Sequence, residues 1–559
     1  MKKLFLSALM AAAVLSASAN VFYCDPASNK DDAQGSSWDD AVSVYMMREA
    51  LSSLVGAGDT IFIKGGNINL QSGNEAWVIT GGITIIGGFD PSAKGISTSL
   101  PVYPSATPTV FNGDANKDGV PSVGDSPMLI RVDLSGAADD VVTLQGLDLI
   151  NTYNTETGGS DDYDSFKDQA TALRTFLGTV IVKNCHIYGH ITPNCKGSQS
   201  ITVVGSKFHM IDCEVHDGIA LSRGGLLRTR NYFVGGDKEN YVTPEVVLER
   251  CSFYNGSALG LNADDPSMTL EARIAAKDAS LATGTYGGAL QISAGPLYMI
   301  NTSVLNNINY SNGAGISGNV AGFYIISSTI GYNEGIRDDH DIAASPKNCC
   351  YGSSLRMEAK GTIKIANSFV TDPKDNSKKQ YAPIYQDGNE EKMMSECFTS
   401  GGYNVLGTVC YYPDAAADPK NTWKVTDLYS VYNAGTLDSV QTFQKYFGTF
   451  DNFKDNGGCS KTLLPLAMQD GAVVADLQEL ANTWFPAWAK VDASVDQRGY
   501  KRDAAKTCVG AAAVEATPGS ALKHVNAVRK SNIKYNVLGQ PVNDLYKGIV
   551  ILDGKTYLQ

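Results

Sequence analysis

The chain has 559 residues, 56 of them glycine, with 18% charged side chains and a formal net charge of −13. An acidic chain with no long lysine or arginine run lacks the basic footprint of a polyanion binder, which argues against nucleic acid as a partner. Glycine above the usual ~7% and charge below the usual ~25% favour turn-rich β structure over helical bundles.

At the amino terminus, Lys2 and Lys3 precede an apolar run from Leu4 to Leu15 and the small residues Ala17, Ser18 and Ala19, the pattern of a secretory signal peptide over residues 1–19. The run is shorter than the ~20 apolar residues of a spanning helix, and no later segment supplies one. An exported chain without a transmembrane segment is therefore expected, at the cell surface or outside it and in reach of the outer membrane. Its 11 cysteines are an odd number, so at least one is expected to lack an intramolecular bridge. Cys397 with Cys410, and Cys459 with Cys508, are open as bridges.

Residues 20–135 read as an amino-terminal cap and first coils, in which Trp38 and the apolar residues of 41–54 suit a short helix covering an open end. Within them Asp114, Asn116, Asp118, Gly119 and Asp125 place side-chain oxygens at positions one, three, five and twelve and glycine at six. That is the spacing of a calcium loop, which gathers six to eight oxygens around one point. The loop resembles those of dockerins and EF-hands, and calcium is the one cofactor expected. The plainer reading is an acidic turn leading into the first coil.

Residues 136–516 carry a recurring phrase: Leu147-Asp148-Leu149, Cys185-His186-Ile187, Cys213-Glu214-Val215, Cys251-Ser252-Phe253, Thr302-Ser303-Val304, Ser328-Thr329-Ile330 and Asn367-Ser368-Phe369. Each is a short alternating strand, and the steps of 26 to 51 residues fit coils with inserted loops. One strand per unit cannot bury its apolar face alone, so the units must stack, and the expected fold is an all-β, parallel β-helix solenoid. A propeller would need about four strands per blade at a steadier period, and a sandwich would need hairpin turns.

Alternation puts Cys185, Cys213 and Cys251 inside as a ladder of thiols. In-register residues about 4.8 Å apart are poor disulfide partners. The same rule puts His186, Tyr188, Asp212, Glu214, His216, Arg250 and Tyr254 outside as one polar and aromatic strip. Tyr188 and Tyr254 could stack on sugar rings, and His186, Asp212, Glu214, His216 and Arg250 are the candidate acid–base residues for glycan cleavage. Asp212 and Glu214, two apart, fall within the ~5–9 Å that a hydrolase asks of its carboxylates. The bland alternative is a solvated outer face. Two acidic clusters, Asp161-Asp162-Tyr163-Asp164 and Ile336-Arg337-Asp338-Asp339-His340-Asp341, lie in expected loops and read as cation or sugar sites or as plain solvated charge.

Val21-Phe22-Tyr23, Gly35-Ser36-Ser37-Trp38, Gly58-Asp59-Thr60-Ile61-Phe62-Ile63 and Thr84-Ile85-Ile86-Gly87-Gly88-Phe89 resemble the opening of secreted right-handed parallel β-helix proteins. More narrowly, they resemble the bacterial group related to chlamydial polymorphic outer-membrane repeats. Asp455-Asn456-Gly457-Gly458, then Asp496-Gln497-Arg498-Gly499 with Arg502 and Gly510-Ala511, is similar to the closing phrase of many such helices. The resemblance implies fold and export more than chemistry. Residues 517–559 form a linker and a short carboxy-terminal β-hairpin tail, with strands at Ile533–Val537 and Gly548–Leu552 and a turn at Asp553-Gly554. This tail resembles those of exported Bacteroidetes proteins handled by type IX secretion. No P-loop, paired-cysteine zinc motif, zincin helix or nucleophile elbow occurs. The resulting expectation is an exported scaffold for adhesion or glycan binding, with glycans or surface proteins as partners. The alternative is a polysaccharide lyase or glycoside hydrolase acting on the outer face.

Overall fold

A computed structural model describes residues 19–514 except 31, 52–54, 72–74, 98, 155–171, 193–199, 221–222, 259–285, 310–312, 319–321, 336–353, 358–360, 372–383, 388–397, 408, 413–423, 425 and 430–441. In the tail it describes 534–536, 541–542, 549–552 and 555–558. The signal-peptide segment up to residue 18, both acidic clusters, Cys349, Cys350, Cys397 and the linker from Thr517 lie outside the described residues.

The chain winds repeatedly through three parallel sheets, called here sheets 1, 2 and 3 in the order the chain visits them. The first coil uses Thr60–Lys64, Gly66–Asn69 and Trp77–Ile79; the last with a described strand in all three sheets uses Phe398–Gly402, Val405–Leu406 and Val409–Tyr412, and Leu428–Tyr429 adds one more strand to sheet 2. Each strand pairs in parallel with its equivalent one coil on, as in the run His186, Glu214, Ser252, Ser303 and Thr329. This register makes the protein a parallel β-helix. It also resolves the unequal steps: every phrase is one coil from the last, and the 51-residue step from Cys251 to Thr302 holds one coil plus an insertion. One phrase slips by a residue, because Phe369 pairs with Thr329, so Ser368 rather than Asn367 stands beside Ser328.

The corner between sheets 1 and 2 is turned by one left-handed residue per coil: Asn184, Asp212, Arg250, Asn301, Ser327 and Asn367 all have φ between 46° and 54°. A turn this sharp needs a positive φ, and asparagine and aspartate tolerate it better than most other non-glycine residues. Just past the corner, small side chains accept from the preceding coil's backbone. Cys185 N–H donates to Cys213 Sγ at 3.4 Å, Cys251 N–H to Thr302 Oγ1 at 3.2 Å, Thr302 N–H to Ser328 Oγ at 3.3 Å and Ser328 N–H to Ser368 Oγ at 3.0 Å. The three cysteines are buried thiols without disulfides, as the alternation implies. Inside them, ladders of Leu, Ile, Val and Phe fill the coil interior.

At the amino end Val21–Cys24 extends sheet 1, and the helix Val44–Ala50, capped by Ser43 Oγ on Met46 N–H, seals the first coil with Met47 and Leu51. Trp38 does not belong to this plug. It packs in a lateral cluster with Tyr23, Phe89 and Tyr103, because its three-residue helical turn precedes Val44–Ala50 and lies beside sheet 1.

Residues 442–514 leave the coils and lie across their sides as an arm. The helix Val474–Trp484 with Phe485 covers the apolar outer face of sheet 1 at Val247, Ile300, Ile326 and Ala366. The helix Thr442–Phe447 and the short strand Thr462–Leu463 cover sheet 2 at Leu305, Phe369 and Val405. The phrase from Asp496 to Ala511 therefore closes the helix from the side rather than the end. Gln497 bonds Ser252, Ser303 and the Cys251 carbonyl, and Arg502 bonds Asn301 and the carbonyls of Cys508, Gly510 and Ala511. Cys459 and Cys508 form no bridge: Cys508 is buried beside the Arg502 contacts, while Cys459 accepts from Asn184 at the corner between sheets 1 and 2. In the tail, Ile549–Leu552 pairs antiparallel with Lys555–Leu558, with Leu552 opposite Lys555, while the expected turn at Asp553-Gly554 lies outside the described residues. Among the described residues no helix is long and apolar enough to cross a membrane.

Candidate functional site

Three neighbouring strands of sheet 2, His186–Thr192, Glu214–Ala220 and Ser252–Tyr254, carry the candidate residues. Their register builds a grid on the outer face, with His186, Glu214 and Ser252 in one row and Tyr188, His216 and Tyr254 in the next. Strands about 4.8 Å apart force the second row's rings to stack. Tyr188 and His216 lie 4.9 Å apart at 3°, and His216 and Tyr254 lie 4.6 Å apart at 11°.

Polar contacts tie the grid together. His216 Nδ1 lies 2.6 Å from Asp217 Oδ2, and its Nε2 lies 2.6 Å from Nε2 of His186. Asp217 is itself a left-handed corner residue, φ 52°, whose other oxygen accepts from Asn255 at 2.9 Å, while Asn255 accepts from Asn306 at 2.7 Å. Burial alone would raise the Asp217 carboxyl. The His216 charge, the hydrogen bonds from His216 and Asn255 and the Lys461 charge outweigh it and hold the group below the usual carboxylate range. A carboxylate only accepts, so Nδ1 of His216 carries the hydrogen and, in the neutral ring, Nε2 presents a lone pair toward His186. Glu214 Oε1 accepts from Tyr254 Oη at 2.5 Å and lies 3.6 Å from His186 Nε2 and 3.8 Å from His216 Nε2.

The strip is outward but not open. Lys461 of the arm donates its amide to Glu214 Oε2 at 2.8 Å and its ammonium to Tyr254 Oη at 3.1 Å, and Phe453 packs edge-on to Tyr254 at 4.9 Å. Glu214, His216 and Tyr254 are buried as a result, and Tyr254 cannot serve as a sugar platform. His186, with 18% of its side chain exposed against 6% for His216, and the half-buried Tyr188 mark the accessible edge.

Asp212 and Arg250 do not join this group. Both are left-handed corner residues, so strand alternation stops before it reaches them. They pair with each other in a two-pronged contact of 2.7 and 2.9 Å, and Arg250 also binds Glu249, which accepts from His209 at 3.1 Å. Asp212 and Glu214 are therefore not a facing pair of carboxylates. Asp217 and Lys461, which complete the cluster, escape sequence reasoning for different reasons. Asp217 directly follows His216 and is brought back by its corner conformation, whereas nothing near Lys461 signals a partner 247 residues away.

In the calcium-type loop the side chains bond to the loop's own backbone. Asp114 accepts from the amides of Asp118 and Gly119, Asn116 from Asp118, Asp118 from Val120, and Asp125 from Ala115 and Ser122, at 2.7–3.1 Å. Burial, with Asp114 and Asp118 adding their charge, pushes the Asp125 carboxyl up to about 6. Asp114, Asp118 and Asp125 do not converge as closely as His186, Glu214 and His216, whose ligand atoms all lie within 4.8 Å of one another.

No family model and no curated protein matches the sequence. Among solved structures the chain is similar to a rhamnogalacturonan lyase at 11% identity, over 79% of this chain and 95% of that one, with a TM-score of 0.37. It is similar to the pectate lyase Pel9A at 11% identity, over 65% and 77%, with a TM-score of 0.30. A PL6 alginate lyase in complex with a trisaccharide matches at 12% identity, over 72% and 62%, with a TM-score of 0.32. Likeness at this level assigns no residue and no activity.

Proposed function

We propose that the protein cleaves a glycan chain, with proton transfer centred on His186 and His216. The observation that carries this reading is the line of contacts from Asp217 through His216 to the partly exposed His186, which orients one imidazole and aims its lone pair at a second. Such a line gives a group able to take a proton and a neighbour able to give one, as lyases and hydrolases need. Packing does not require it: further along the same face, under the same arm, the covered positions are Leu305 and Phe369. A rigid stack of coils suits an extended polymer, and Tyr188 sets an aromatic ring beside His186 at 4.5 Å. Glu214 and Tyr254 steady the cluster rather than meeting substrate.

The signal-like segment at residues 1–19 and the strands of the tail support delivery to the cell surface or beyond, where such polymers occur. The test is incubation of the purified chain with acidic and neutral polysaccharides, following new reducing ends and the ultraviolet absorbance of unsaturated uronates. Cleavage that disappears in His186→Ala and His216→Ala supports the proposal. Silence across the panel with saturable glycan pull-down overturns it and leaves the adhesion or glycan-binding scaffold.

A further inference from the structure

The three side chains at the centre of the cluster bring metal-ligating atoms within 4.8 Å of one another. The separations are 2.6 Å between the two Nε2 atoms and 3.6 and 3.8 Å from these to Glu214 Oε1. A single point in the plane of the three atoms lies about 2.0 Å from each, the length of the ~2.0–2.2 Å bonds that Zn²⁺ makes to imidazole nitrogen and carboxylate oxygen, and the two nitrogens must part by about 0.6 Å for its tetrahedral arrangement. We propose that His186, His216 and Glu214 bind one divalent transition-metal ion of the Zn²⁺ class, with a fourth position left for water or substrate.

Three features beyond the spacing support this. First, Asp217 holds the hydrogen on Nδ1 of His216 at 2.6 Å and so turns the lone pair of Nε2 inward, the carboxylate–histidine–metal arrangement that raises ligand basicity. Asn255 and Asn306 extend that support across two more coils. Second, both oxygens of Glu214 are oriented, Oε1 by Tyr254 Oη and Oε2 by the Lys461 amide, and Oε1 keeps a second lone pair for a cation. Third, two imidazole nitrogens at 2.6 Å repel unless a proton or a cation sits between them. Two neutral histidines and one carboxylate suit Zn²⁺ and its neighbours in the transition series better than calcium or magnesium, which prefer all-oxygen sets.

This inference uses the cluster named under the proposed function but does not depend on its being catalytic. With metal bound, the lone pairs are occupied, and the reactive group would be whatever holds the fourth position rather than an imidazole. The experiment is equilibrium dialysis of the untagged, chelator-stripped full chain against Zn²⁺, with elemental analysis, and in parallel the visible spectrum after Co²⁺ loading. The expected result is one tightly held equivalent and a four-coordinate Co²⁺ spectrum. Both should be lost in His216→Ala and in His186→Asn, the latter altering the most exposed ligand, with folding checked by circular dichroism. Asp217→Asn should weaken binding about 10–100-fold while leaving one site. No retained metal, or retention unchanged in a folded His186→Asn, overturns the inference. Cleavage by the stripped protein with no retained metal overturns it while supporting the proposed function. Metal retention without any cleavage does the reverse.

Discussion

Lys461 and Glu214 stand 247 residues apart in the chain, yet the Lys461 amide donates to Glu214 Oε2 at 2.8 Å. This bond fastens the arm to the middle of sheet 2 and, with Tyr254 on the other oxygen, fixes the one carboxylate of the cluster that faces both histidines.

Replacing Glu214 with alanine should leave the Lys461 amide and the Tyr254 hydroxyl without their acceptor. An orphaned buried donor costs about 1–3 kcal/mol, so the expected loss for the two is about 2–6 kcal/mol. Glu214→Gln, which keeps an acceptor oxygen, should lose less than half of that. Chemical denaturation followed by circular dichroism separates the two, and equal losses would mean that the arm is held elsewhere.

Arg502 should be the most sensitive single position of the arm. Its guanidinium donates to Val495 O, Thr507 Oγ1, Cys508 O, Asn301 Oδ1, Gly510 O and Ala511 O, tying three stretches of the arm to the coils. Arg502→Met should cost about 3–5 kcal/mol, and Arg502→Lys should rescue little, because a compact ammonium cannot reach donors' partners spread around a planar fork. Limited proteolysis should then cut within residues 442–514 before the coils are attacked.

His190 sets an acid limit. Its Nδ1 accepts from Thr152 Oγ1 at 2.8 Å and its Nε2–H donates to the Leu149 carbonyl at 3.1 Å, so the buried ring is neutral. Burial pushes its pKa down from 6.5 to about 3, despite the Leu149 bond and with His216 adding to the depression. Between those values the unfolded chain binds a proton that the folded chain refuses, so stability falls as the pH drops through this window and is unaffected above it. His190→Gln should lower stability at neutral pH and flatten the decline between pH 7 and pH 4 in thermal melts. An unchanged slope would show that other groups set the acid limit.

The loop at Asp114–Asp125 should respond to calcium in a pH-dependent way if it holds that ion. With the Asp125 carboxyl raised to about 6 from 3.8, the folded chain without a cation binds its proton more tightly than the unfolded chain. Its stability therefore declines as pH rises through this window and stays lower above it. A bound cation would relieve the repulsion among Asp114, Asp118 and Asp125. The melting temperature should rise with calcium at pH 7, less at pH 5, and not at all in Asp118→Asn. Identical melts in calcium and chelator at pH 7 would leave a self-bonded turn.

Strand alternation and the recurring phrase already contained the coil stack, the inward thiols Cys185, Cys213 and Cys251, and the outward placing of His186, Glu214 and His216. These follow from a period of two and from the need of each unit to bury one face, both local properties of the chain. The corners were not legible in this way: alternation cannot be carried through a left-handed residue, so Asp212 and Arg250, which sit at such corners, pair with each other away from the cluster. Nor could local pattern show that residues 442–514 return across sheets 1 and 2, bury the strip and bring Lys461 to Glu214. That outcome depends on apolar faces such as Val247, Ile300, Leu305 and Phe369 finding cover from far along the chain. The sequence by itself determined which side chains face outward; only the tertiary structure decided which of them meet, because contact across coils and beneath the arm is a property of packing rather than of spacing.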